Sequence, residues 1–366
     1  MSTSLIPALD PAPLPGPPWL FQVLWVLTFF IHLLFVNTAL GGTLLAAFAG
    51  AAGAGRREVR SFFVEVNSWG ISFAITFGIA PLLFMQVLLG RFFYTATILV
   101  GWAWFGMLVL LTVGYYLNYV AKFRLRAGKD AAAVVVLEAA CFVAIAGIQV
   151  TVNLLHLQPG RWEQVADRAW AALGDPSFLP RFLHFVLAAV AMAGALAAFV
   201  AVRRAARGGD AHSLQGMARF GVKAALIATL LQLVDGFWLL LSMPEDVLRA
   251  FMRGGAATMA PLGIGILAGV LLLVVLAQIS DPLAQATKVR RVAELIVGAM
   301  VFMIVTRHEL RDVYLARARA GEQVTVAPQW GPLALFLVVF VLCVGLTIYA
   351  LVRAAKERPS PGEEAA

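Results

Sequence analysis

Residues 20–48, LFQVLWVLTFFIHLLFVNTALGGTLLAAF, decide the fold class. The stretch contains no Asp, Glu, Lys or Arg, yet it carries His32 near its middle. As a helix rising 1.5 Å per residue it would be about 43 Å long, more than the roughly 30 Å hydrocarbon thickness of a bilayer. Lipid offers backbone N–H and C=O groups no partner, so a segment of this kind must bond within itself as a helix. Stretches of the same character recur at 65–90, 94–121, 131–156, 179–202, 218–242, 257–279, 289–307 and 331–353, giving nine expected spans. The runs are continuous rather than alternating, which excludes a membrane β-barrel. Composition agrees: 61% of the 366 residues are hydrophobic, 13% are charged and the mean hydropathy is +0.87. A chain so poor in charge cannot cover a water-facing surface, and a soluble enzyme is excluded.

The expected organisation is an all-α, polytopic bundle at residues 19–354. A proline-rich lead-in at 1–18 precedes it and a polar tail at 355–366 follows. Lys and Arg concentrate after odd-numbered spans, at Arg56, Arg57, Arg60, at Lys122, Arg124, Arg126, Lys129, at Arg203, Arg204, Arg207, Arg219, Lys223, and at Lys288, Arg290, Arg291. The positive-inside rule puts that end in the cytoplasm, the N-terminus outside and the C-terminus inside. The net charge of +8 reflects these loops, and no nucleic-acid partner is expected. The expected location is the inner (cytoplasmic) membrane. The two cysteines, Cys141 and Cys343, lie inside apolar runs, and no C-x-x-C-H is present for covalent haem attachment.

Polar side chains inside such a bundle are expensive and mark function. His32 falls at mid-membrane; His156, His184 and His308 fall toward the outer face, with Met259 at the same level. Imidazole nitrogen and thioether sulfur are axial ligands of b-type haem, and closely spaced Cys/His pairs for structural zinc are missing. Arg91, Arg181, Arg307 and Arg311, on the outer side, suit haem propionates as charge-assisted partners. The bland readings are a hydrogen bond from His32 to Asn37 or Gln86, interfacial roles for His156, His184 and His308, and packing for Met259. Asp235 with Gln232 reads as a proton-handling pair or as glue between helices, whereas Glu138 and Glu294 are expected to snorkel to the cytoplasmic end.

The surroundings of His32 resemble the first helix of cytochrome bd oxidase subunit I. His32-Leu33-Leu34-Phe35-Val36 through Leu40-Gly41 is similar to that family's H-x-L-F-V-x-x-x-L-G. Trp69-Gly70, Phe77-Gly78-Ile79-Ala80 and Met85 through Gly90 resemble its W-G and F-G-V-A-T-G-x-x-M-E-F-x-x-G, and Phe182-Leu183-His184 resembles its F-V-H. The resemblance implies nine helices with the N-terminus outside. It implies His32 as axial ligand at the oxygen-reducing site, and His184 with Met259 as ligands of a low-spin haem. In the place of the family's E-x-x-R, His308-Glu309-Leu310-Arg311 implies His308 as a ligand. His156 is the alternative to Met259 opposite His184.

Other parts of the family pattern are missing. Residues 94–121 contain no acid, Gln86 replaces the acid of M-E-F, residues 243–256 stand where a long quinol loop would be, and G-R-x-P-W is absent. The expected function is therefore a haem-holding membrane subunit that carries electrons within a respiratory complex. Its cofactors would be haem b, on the order of one to three per chain, with haem d open as a type. The expected partners are the lipid bilayer, a second membrane subunit, and a periplasmic c-type cytochrome or quinone. Two alternatives stand beside this: an active terminal quinol oxidase whose proton path uses Asp235, Glu138 or Glu294, and a haem-free transporter or assembly protein with His32 and Asp235 as a proton-coupled site.

Overall fold

The computed structural model describes residues 6–10, 12–50, 53–166 and 168–356. Among them the long elements are all helical: α1 (Pro18–Phe48), α2 (Ala54–Val100), α3 (Trp102–Arg126), α4 (Ala132–Leu157), α6 (Phe178–Ala205), α7 (Ala211–Leu241), α9 (Gly255–Ala277), α10 (Ala286–Leu315) and α11 (Trp330–Lys356). Two short helices, α5 (Trp162–Val165) and α8 (Glu245–Met252), lie in the connections. Eight of the long helices are long and apolar enough to cross a membrane. The ninth, α10, is 30 residues long, but Arg290, Arg291 and Glu294 near one end and Arg307, Glu309, Arg311 and Asp312 near the other confine its uncharged stretch to 295–306. Large apolar side chains such as Trp102, Ile98 and Leu241 are exposed, as a lipid-facing surface requires. The chain is a polytopic all-α membrane bundle.

The boundary expected near residue 90 is displaced. Gly90 and Arg91 continue α2, which bends around Pro81 and Leu89 (φ −140°, ψ 24°) and runs on to Val100. A single residue, Gly101, then reverses the chain with φ +59°, a backbone region open to glycine. Arg91 does not stop the helix because its guanidinium lies 4.7 Å over the Phe92 ring and donates to Pro7 O at 3.1 Å.

The described residues of Met1–Ala8 and Val23–Gly321 form one compact unit. Its tightest seam joins α6 to α7. Ala189, Ala193, Ala197, Ala198 and Ala201 are buried on α6, as are Ala218, Ala225 and Ala228 on α7. A Cβ on Gly194 would stand 2.6 Å from Gly221 O, and one on Gly221 would stand 2.5 Å from Gly194 O. Small residues let backbones touch, and in lipid such close packing is what holds helices together. A second compact unit comprises Leu9–Gln22 and the described part of Glu322–Ala366. There Leu14 pairs with Val326 in an isolated parallel bridge ahead of α11. The expected tail lies almost wholly beyond Lys356, outside the described residues.

Asp175 organises the connection from α4 to α6. Its carboxylate accepts from Ser177 Oγ (2.6 Å), Ser177 N (2.8 Å) and Gln158 Nε2 (3.2 Å), and it pairs with Arg161. Burial alone would raise this carboxyl, but the bonds from Ser177 and Gln158 and the charge of Arg161 outweigh it and hold it below the ordinary carboxylate value. A lowered value in the folded state means that this stabilisation is full above the unfolded carboxyl range and fades as pH falls through the lowered value.

Two outcomes are expected. Gly194→Val should strip folded protein from detergent extracts, whereas Gly147→Val, whose Cβ would meet nothing within 4 Å, should not; size-exclusion profiles read both. Asp175→Ala should destabilise by about 1–3 kcal/mol through its orphaned donors, and thermal melts should show the difference from wild type shrinking in acid.

Candidate functional site

The site begins on one face of α1. Trp25, Phe29 and His32 recur at i, i+4 and i+7, so they line a single stripe. On α10, Ile304, Arg307, His308 and Arg311 recur at i, i+3, i+4 and i+7, and they face Trp25, Val26 and Phe29, though not His32, across a cleft. Arg311 Cζ lies 4.0 Å over the Trp25 ring and Arg307 Cζ lies 4.9 Å over Phe29, both in cation–π geometry. His308 packs edge-on to Trp25 with ring centroids 5.6 Å apart. Arg311 Nη2 approaches its Nδ1 at 2.8 Å and Nε2 at 3.1 Å, and also contacts Asp312 Oδ1 at 3.2 Å.

His32 bonds neither Asn37 nor Gln86. Its Nδ1 lies 2.9 Å from Ala74 O on α2, and a carbonyl can only accept, so Nδ1 carries the proton and Nε2 keeps the lone pair. Gly78 makes room for the ring: a Cβ there would come within 2.9 Å of His32 Cε1. Asn37 instead turns its Nδ2 toward Met300 Sδ on α10, at 3.5 Å.

His156, at the end of α4, is 3% exposed, and neither ring nitrogen has a hydrogen-bond partner among the described residues. Phe92 and Phe93 of α2 stand edge-on to it, each at 6.5 Å. Arg307 and Arg311 lie within electrostatic range of it, and Arg181 of α6 lies within range of Arg307. Arg181 has Nε and Nη2 buried without partners and sits beside Tyr314. Of the four arginines expected to meet anionic groups, Arg307 and Arg311 lie within electrostatic range of His156 and Arg181 lies within range of Arg307, whereas Arg91 stacks on Phe92 and bonds Pro7 O.

His184 is engaged differently. Its Nδ1 lies 3.2 Å from Asp235 Oδ2 and its Nε2 lies 3.3 Å from the Gln232 amide, both on α7. Met259 is not among those partners. It packs with Leu157, Met243, Phe251, Leu310 and Tyr314, against the ends of α4 and α10. The anticipated snorkelling holds for exposed Glu294, which pairs with Arg290, and fails for Glu138, which is 1% exposed. Sequence reading missed Trp25, Phe29, Phe92 and Phe93. The i, i+4, i+7 spacing of Trp25 and Phe29 with His32 was the signal available for the first two.

The arrangement holds single imidazoles and clustered guanidinium groups. Among the described residues no three His, Cys, Asp or Glu side chains gather around one point. A ligand suited to it offers one metal to a lone imidazole and anionic oxygens to arginine, and a metalloporphyrin with carboxylate arms has that chemistry.

Comparison with known proteins gives a fold and no closer kinship. No family model matches the chain and no curated protein matches it. Among solved structures it is similar to a chain of the bd oxidase from Geobacillus thermodenitrificans, with a TM-score of 0.77 and 14% identity, over 94% of this chain and 99% of that one. The chain has the fold of a bd oxidase membrane subunit.

Proposed function

We propose that the protein is a bd-like membrane cytochrome, a subunit that holds b-type haem and carries electrons within a respiratory complex of the inner membrane. The observation that carries this reading is that, among the described residues, the buried imidazole of His156 has no hydrogen-bond partner on either nitrogen and the buried guanidinium of Arg181 has none on Nε or Nη2. An unsatisfied buried polar group costs about 1–3 kcal/mol. Several retained together imply a ligand that satisfies them.

On this reading His32, His184, Met259 and His308 are the candidate iron ligands, with His156 as the alternative to Met259. Arg181 and Arg311, joined by Arg307, take the propionates. Haem supplies reversible one-electron chemistry at its iron when bound. Ala74 O fixes the His32 tautomer so that Nε2 would be the ligating atom, as a carbonyl that accepts from a metal-bound imidazole does. Asp235 does the same for His184 through Nδ1, which leaves Nε2, now facing Gln232, as the nitrogen for iron. The partners proposed are a second membrane subunit and a periplasmic c-type cytochrome or quinone, because the histidines at span ends lie away from the basic loops.

One observation favours the haem-free transporter: both nitrogens of His184 already have partners, and Asp235 Oδ1 is buried without one. A buried His–Asp pair suits proton coupling.

The pyridine haemochrome of the chain purified from haem-sufficient cells separates the two readings. At least one b-type haem per chain is expected, with loss of absorbance in His32→Ala or His184→Ala; a colourless, folded preparation would overturn the cytochrome. Asp235→Asn should keep the haem and raise its midpoint potential, since a neutral partner makes the imidazole a weaker donor; a potential that stays put or falls counts against the ligand role of His184.

A further inference from the structure

Glu138 is a buried acid that contacts none of the candidate ligands or the arginine cluster. It lies on α4, about 10 Å from the start of that helix at 1.5 Å per residue, and it is 1% exposed. Thr43 Oγ1 of α1 donates to Glu138 Oε1 at 3.2 Å. Asn67 Nδ2 of α2 donates to Thr43 Oγ1 at 2.8 Å and to Ala39 O at 3.3 Å. Three helices therefore meet at one polar knot.

The charged groups on neighbouring helices are occupied elsewhere. Arg60 pairs with Asp130 and donates to Ala46 O; Glu65 pairs with Lys122; Arg204 pairs with Glu58. On α3 the Tyr115 and Tyr119 hydroxyls turn to Ser68 and Ser72. The Cys141 thiol, on α4 itself, is the titratable group within electrostatic range. Glu138 has no cationic partner among the described residues, and an isolated carboxylate in so apolar a setting carries a desolvation cost that neutralisation removes. Toward the basic end it is closed off by Leu45, Ala46, Val59, Phe63, Ala131 and Val135.

In the other direction the interface is built of small groups. Asn67, Gly70, Ala74 and Gly78 follow one another at i, i+3, i+7 and i+11 along α2, which puts them on the face that meets His32. Asn67 Oδ1 is buried without a partner, and a Cβ on buried Gly70 would meet nothing but that oxygen, at 3.8 Å. On α1, Thr43 stands eleven residues from His32, three turns along the same face.

We propose that Glu138 is a proton-holding acid, wired through Thr43 to the α1–α2 seam and coupled along it to the His32 site. It stands neutral with the proton on Oε2, since Oε1 accepts from Thr43. When an electron arrives at the His32 site, the added charge is felt along this seam as a change in the carboxyl's hydrogen bonding, with the proton kept on Glu138. This second half rests on the haem reading; the protonation state does not.

Infrared spectroscopy of the full chain in membranes tests both halves, with Glu138→Gln preserving size and hydrogen bonding. At neutral pH, wild type minus Glu138→Gln should show the carbonyl stretch of a protonated carboxyl, and Thr43→Val should move it. A carboxylate signature in its place would overturn the proposal. In haem-loaded protein, reduction with dithionite should shift that stretch, and Glu138→Gln should abolish the shift. A carbonyl region unaffected by reduction would overturn the coupling. A preparation without haem would instead be exposed by its haemochrome, and the protonated-carboxyl band still decides whether Glu138 holds a proton.

Discussion

A nitrogen lone pair or N–H sealed inside a lipid-embedded bundle has few ways to be satisfied, and this constraint organises the molecule. His32 answers it with the Ala74 carbonyl and His184 with Asp235 and Gln232. His308 answers it with the guanidinium of Arg311. His156 finds no such answer among the described residues, although it is one of their most deeply buried polar groups. An imidazole buried in this way costs free energy unless something outside the polypeptide meets its needs.

The rest of the bundle serves to keep these groups in place. The glycine–alanine seam of α6 and α7 fixes His184 against Asp235 across two backbones in contact. Gly78 lets α2 close on the His32 ring. The rings of Trp25 and Phe29 carry two arginines on their faces, which holds positive charge beside apolar surface without a carboxylate for each guanidinium. Such a cluster is poised for anions rather than neutralised within the chain. Glu138 shows the opposite solution, an acid held by the Thr43 hydroxyl with no countercharge among the described residues.

The bundle was largely legible because lipid permits so few backbone solutions: uninterrupted apolar runs located the long helices, and the fold likeness to a bd oxidase chain agrees with the motifs around His32 and His184. Residues 90–100 misled because Gly90–Arg91 looks like a break, whereas an arginine stacked on its neighbouring ring is tolerated within a helix. Helix α10 was harder to read, since charges at both of its ends leave only 295–306 uncharged. Glu138 was misread for want of knowing what faced it; a carboxyl near a helix end snorkels only when its face is open, and here α1 and α2 close over it. Met259 was placed by its level in the membrane, which says nothing about direction, and its neighbours are apolar. Contacts between helices far apart in sequence were the part that one chain's periodicity could not supply.

The proposed cytochrome requires a porphyrin held by the histidines of the bundle, with Arg181 and Arg311 on its carboxylate arms. A cryo-electron density map of the intact protein purified from its membrane tests this most directly. The account predicts flat macrocycle density within the bundle, its iron joined to imidazole nitrogen and its carboxylate arms against Arg181 and Arg311. Continuous side-chain packing through the same region, with ordinary hydrogen-bond partners on both nitrogens of His156, would contradict it.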